Sequence, residues 1–259
     1  MTTPTTDIPF VASSPTASDI NQVDAAAPIT WIRRGIDDFR HAPALSLLYG
    51  FLFAGMCAGV YLLISSVPWF TTGYLTGLVV VGPFVAAGLY AASRDIERGV
   101  APSISASLRL MLQRRTYLAL FSLMLALVMA AWVRFSALLF ALKFNTLTPT
   151  LETYTQMLTS PEGWIALSFF VGIGFILATA VFVISAVAIP LILDKDADFI
   201  KAMQTSYRAV VNNPLAMAVW ALSIVALTVV GIATAFVGLA VIFPVLGYAT
   251  WHSYRALVK

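Results

Sequence analysis

A bundle of α-helices that crosses a membrane several times is the fold class this sequence predicts, and three observations carry it. The chain of 259 residues is 60% hydrophobic and only 10% charged, with a mean hydropathy of +0.89. Soluble proteins average about 45–50% apolar and about 25% charged residues, so these charges are too few to coat a water-exposed surface. The apolar residues also come in continuous runs near the roughly 20 needed for a helix to cross a bilayer, unlike the short alternating segments of a barrel. Finally, with the N-terminus inside and six spans, all but Arg134 and Lys143 of the 15 Lys and Arg fall on one side, as the positive-inside rule expects.

Residues 1–27 are rich in Thr, Ser, Pro and Ala and lack a basic segment leading into an apolar core. They read as a disordered cytoplasmic tail with no cleavable signal, and 28–259 as the membrane domain. Six spans fit the apolar pattern at 45–64, 73–92, 117–135, 165–193, 214–232 and 237–255. The last two come from one apolar block, Leu215 to Trp251, that would extend about 55 Å as a single helix against a hydrocarbon core of roughly 30 Å. A turn near Gly231–Gly238 divides it better.

Three cytoplasmic segments have helical amphipathic spacing. Ile29, Ile32, Ile36 and Phe39 stripe the first, Ile104, Leu108, Met111 and Leu112 the second, and Phe199, Met203, Tyr207 and Val210 the third. Basic amphipathic helices of this kind lie in the headgroup plane. The outer segment 136–163 begins apolar, turns Thr-rich and holds Lys143, Glu152 and Glu162; an interfacial helix followed by a loop is expected there.

Few residues point to chemistry. No Asp, Glu or His lies near the middle of a span, whereas ion-coupled transport usually marks itself with such residues. No phosphate-binding glycine loop and no HExxH or GxSxG pattern occurs, so no catalytic residue, cofactor or metal is assigned. The GxxxG pairs Gly55/Gly59 and Gly73/Gly77 predict close helix packing, with each other or with a partner. Trp31, Arg94, Trp251, His252, Tyr254 and Arg255 stand at span borders and read as interface anchors. Arg134 lies at the outer border, where it can snorkel or contact an anion. The net charge of +3 fits topology and anionic lipid headgroups better than nucleic acid.

The stretches GPFVAAGLYAASRDIERG (82–99), DADFIKAMQTSYRAVVNNP (196–214) and FPVLGYATWHSYRALV (243–258) resemble an uncharacterised group of bacterial integral membrane proteins, domain of unknown function 2189. The likeness covers roughly residues 30–258. It implies a multi-pass protein of the bacterial inner membrane. Some members carry a cytochrome c oxidase subunit label, but the catalytic subunit of that enzyme needs several histidines within its spans. This chain has two, His41 and His252, both at borders. The leading expectation is a non-enzymatic accessory, assembly or lipid-interacting component of a membrane complex, such as a respiratory one. A transporter or channel for a small or lipophilic solute, with Ser122, Ser168, Thr179 and Ser185 lining a polar cavity, is the first alternative. A haem- or quinone-linked redox protein is the second.

Overall fold

Prolines and capping side chains set many of the helix boundaries. The computed structural model describes residues 20–66, 68–144, 155 and 158–259; the surroundings of side chains 60, 61, 63–80, 139, 140, 143, 144 and 162 are outside the description. Its helices are α1 (Ala27–His41), α2 (Pro43–Ser66), α3 (Pro68–Glu97), α4 (Ile104–Gln113), α5 (Arg115–Phe144), α6 (Pro161–Ser185), α7 (Ala188–Lys195), α8 (Phe199–Asn212), α9 (Pro214–Ala233) and α10 (Leu239–Leu257). Pro161 and Pro214 occupy the first turn of α6 and α9, where a missing N–H breaks no intrahelical bond. Ser103, Ser160 and Asp198 cap α4, α6 and α8 by accepting from the backbone N–H of Ala106, Gly163 and Lys201 at 3.2, 3.0 and 2.7 Å. Each cap fills one of the orphan donors of a helix N-terminus.

Between α6 and α7 the hydrogen-bond ladder breaks, and a side chain mends it. Ser206 of α8 donates to the Val183 carbonyl at 2.8 Å and accepts from the Val187 N–H at 3.4 Å. An insertion of this kind, next to a proline (Pro190) that has no N–H to give, is a recognised cause of helix bending. The apolar block ending at Trp251 is two helices, as the glycines predicted. Thr234 joins them: its Oγ1 donates to the Gly231 carbonyl and accepts from the Gly238 N–H, both at 2.8 Å. Ala235 and Phe236 adopt left-handed φ of 53° and 68° in this turn, a conformation unfavourable for residues with a Cβ.

Helix α10 is the hub, touching α1, α2, α3, α7 and α9. Small residues let it do so. A Cβ on Gly35 of α1 would lie 2.6 Å from the Val245 carbonyl oxygen, and one on Gly50 of α2 would collide with the carbonyl of Ala240. On α10 itself, Gly247 faces Leu89 of α3, whose Cδ1 would be 2.6 Å from an added Cβ. Aromatic contacts fill the space around these crossings: Phe53 stacks on Phe243 at 3.9 Å, and Trp31 meets Trp220 edge-on at 5.8 Å. A second layer, α5 with α6, packs on α3 and α8 and turns Leu123, Leu127, Phe169 and Phe175 outward.

Several expectations change against this architecture. Gly55 is exposed and nothing lies within 4 Å of where its Cβ would be; Gly59 is half-buried. The close approach of α2 is made at Gly50 instead. The packing of Gly73 and Gly77 is outside the described residues, as are residues 1–19 of the expected tail and Lys143, Glu152 and Glu162 of the outer segment. The end of that tail is docked: Ile20 pairs with Val258 as a β-bridge, and the Asn21 N–H donates to the Leu257 carbonyl at 2.9 Å. On α1 the buried stripe is Pro28, Trp31, Gly35 and Asp38, with Ile29 exposed, because Gly35 is where the α1 backbone can reach α10.

Among the described residues, three stretches are long and apolar enough to cross a membrane: 115–138, 163–195 and 214–233. The pair 27–41 and 43–59, bent by 109°, qualifies together as a fourth. The described residues therefore form an all-helical bundle with three or four candidate spans.

The Gly50 contact meets backbone, which cannot rotate away. Gly50→Ala is expected to lower stability by ~3 kcal/mol, the upper end of overpacking costs, while Gly55→Ala leaves it within ~0.5 kcal/mol. Thermal unfolding of both variants in the same detergent checks this.

Candidate functional site

The polar residues gather where α1, α3, α7 and α10 end together. Asp38, one residue short of the α1 terminus region at Phe39–His41, is buried. It accepts a hydrogen bond from Ser93 of α3, and its Oδ2 stands 2.9 Å from His252 Nε2 of α10. A carboxylate taken from water needs such partners. The order of the three groups matters chemically. Asp38 stands between Ser93 and His252, whereas a nucleophilic triad needs the histidine between hydroxyl and carboxylate. This trio fastens helices.

A few residues further along, a cavity of about 290 Å³ opens between Arg94, Glu97 and Arg98 of α3, Asp194 of α7, and Trp251 and Arg255 of α10. Glu97 receives Trp251 Nε1 at 3.1 Å on one oxygen and Arg255 Nε at 3.0 Å on the other. Asp194 accepts from the Tyr254 hydroxyl at 2.7 Å, with Arg255 at 3.7 Å and Arg98 at 3.8 Å. Arg94 has a looser partner in Asp95, 3.8 Å away. Burial first, and the charge of Arg98 second, lower the pKa of the Arg94 guanidinium, opposed by Asp95 and Asp194. Desolvation penalises the charged form, and the carboxylates within reach compensate only in part.

The third feature is a groove of about 740 Å³ along α4 and the start of α5, lined by Ser105, Leu108, Arg109, Leu112, Arg115 and Thr116 among others. Helix α4 packs on α3 through Ser107 and Leu110 and leaves Ile104, Leu108 and Leu112 exposed. Its apolar stripe therefore faces away from the protein, with Arg109 and Arg115 exposed beside it.

The residues expected as interface anchors occupy other surroundings. Trp31, Trp251 and Tyr254 are 2%, 1% and 0% exposed, enclosed by neighbouring helices rather than turned outward. Arg94 and His252, half-buried, and Arg255, exposed, join the polar contacts just described. Arg134 is exposed in the second half of α5. Ser122 is buried while Ser168 and Thr179 are exposed, so the four hydroxyls expected to line one cavity do not converge. His41 is exposed, its Nδ1 2.7 Å from the Asp37 carbonyl of its own helix. Sequence reasoning missed Asp38, Ser93, Glu97 and Asp194. Their one local sign is position: acids and a serine directly beside the ends of apolar runs.

Residues 70–194 match the model of a family described as Predicted integral membrane protein (DUF2189). No curated protein and no solved structure matches the chain. The matched stretch includes Ser93, Arg94, Glu97, Arg98 and Asp194, the α3 and α7 share of the polar cluster, and all of α4.

Removing the Asp38 carboxylate leaves Ser93 and His252 without their acceptor. Asp38→Ala is expected to cost ~1–3 kcal/mol, against ~0.5 kcal/mol or less for the exposed neighbour Asp37→Ala; chemical denaturation followed by tryptophan fluorescence separates the two.

Proposed function

We propose that this chain is a non-enzymatic, lipid-interacting component of the bacterial inner membrane, spanning it six times with both termini in the cytoplasm and serving a larger membrane complex. The observation that carries the reading is the outward apolar stripe of α4. Ile104, Leu108 and Leu112 are exposed beside Arg109 and Arg115, over a groove open to a ligand. An aqueous surface would disfavour that face. A leaflet edge would accept it, the leucines entering the acyl boundary and the guanidiniums meeting anionic headgroups.

The six-span arrangement draws support from the helices themselves. Helices α2 and α3 cover the first two expected spans, and α10 covers the sixth. Placing their polar ends in the cytoplasm gathers Arg94, Arg98, Arg109, Arg114, Arg115 and Arg255 on one side. A membrane complex as partner is supported by the exposed glycine face of α2 at Gly55, which leaves room for close approach by another helix. Catalysis finds little support, since the Ser93, Asp38 and His252 groups stand in the wrong order for nucleophile activation.

Two measurements test this reading. In a Cys57→Ala background, Ala101→Cys and Lys195→Cys are expected to resist membrane-impermeant maleimide in spheroplasts, while Thr146→Cys is labelled; the reverse pattern overturns the orientation. Native mass spectrometry from nanodiscs of mixed phosphatidylglycerol and phosphatidylcholine is expected to show selective retention of the anionic lipid. Replacing Arg109 and Arg115 together by Gln weakens that retention about thirtyfold, from ~1 kcal/mol per basic residue near the surface.

A further inference from the structure

The cavity between α3, α7 and α10 has guanidinium donors that the helix-fastening role does not use. Its carboxylates are largely engaged. Glu97 uses one oxygen on Trp251 and the other on Arg255, and Asp194 holds the Tyr254 hydroxyl through Oδ2 while its Oδ1 faces Arg98 at 3.8 Å. The guanidiniums are not. An arginine carries five N–H donors, yet Arg94 and Arg98 have only ion pairs at 3.8 Å among the described residues, longer than hydrogen bonds. Arg94 Nε is buried with no acceptor at all, a costly state for a donor withdrawn from water. Around a cavity of about 290 Å³, Arg94, Arg98 and Arg255 face Glu97 and Asp194, with Asp95 balancing the charge from 3.8 Å, so what the site lacks is acceptors at hydrogen-bond distance for the Arg94 and Arg98 forks.

From this geometry we infer that the cavity binds a phosphate-class oxyanion, held by Arg94 and Arg98 with Arg255 at its edge. Tetrahedral oxyanions present several acceptors to the planar fork of a guanidinium, which is why arginine pairs favour them. The cavity entrance supports access: the Arg98 side chain is 56% exposed and that of Arg255 41%, while that of Arg94 is 17% exposed and forms the inner wall. The same chemistry could come from soluble phosphate or from the phosphate of a lipid headgroup. This inference does not rest on the α4 groove, because it uses a different cavity and different arginines.

The test uses the full chain purified without phosphate and has two arms. Equilibrium dialysis with radiolabelled inorganic phosphate, at fixed ionic strength in chloride, reads the soluble source. Native mass spectrometry from nanodiscs with phosphatidic acid against phosphatidylcholine reads the lipid source. Saturable binding in either arm is expected, weakened at least about tenfold by Arg98→Gln and unchanged by Arg33→Gln on the exposed face of α1. Arg98 is exposed enough that its replacement leaves folding intact, and circular dichroism verifies this. Binding only to phosphatidic acid identifies a headgroup; binding of inorganic phosphate identifies a soluble anion. No saturable binding in either arm, or equal binding by Arg98→Gln, which places the anion elsewhere, overturns the inference.

Discussion

Close backbone approach to α10 is the constraint on which the rest of this bundle depends. Between helices in lipid there is no hydrophobic driving force, because acyl chains are as apolar as leucine. What remains is packing and hydrogen bonding, and both require short distances. Gly35 and Gly50 allow α1 and α2 to rest on the α10 backbone, and Gly247 lets α3 rest on the same helix. Those contacts in turn set Ser46 Oγ 2.8 Å from the Tyr248 hydroxyl and bring Asp38 to His252. The polar links are consequences of glycine placement.

At the charged end the same helices meet differently. Glu97, Asp194 and Arg255 form a set in which each carboxylate serves an aromatic donor as well as a cation. Partly buried ion pairs contribute little net stability once desolvation is counted, unless extra hydrogen bonds complete them. Trp251 Nε1 and the Tyr254 hydroxyl supply those bonds. The network therefore specifies how α3, α7 and α10 align more than it strengthens them, and α4 hangs from its edge with its apolar stripe free.

Much of this was legible in the chain. Pro214 and the glycines around 231–238 mark boundaries that the helices obey, because breakers act within a few residues. The stripe of α1 was legible in period but not in phase: isoleucine spacing says which residues avoid water, whereas Gly35 decides which face can reach α10. Gly55 shows the converse. A small-residue pair is visible locally, but whether a helix lies against it is decided elsewhere. The charged cluster was hidden for the same reason, since Glu97 and Arg255 are 158 positions apart and Asp38 and His252 are 214 apart. No local spacing encodes such pairs, and composition alone marks Trp251 and Tyr254 as border aromatics without revealing that protein, not lipid, surrounds them.

The position of α10 in the chain gives its central role a cost in time. Some 170 residues separate the end of α2 from the start of α10, and at about 5–20 residues per second a ribosome needs roughly ten to thirty seconds to make them. Throughout that interval α1 and α2 have been synthesised while the helix they rest on has not. Gly35, Gly50 and the Asp38 carboxylate lack their α10 contacts until the last helix is made, so the final fit of α1 and α2 waits on the end of synthesis.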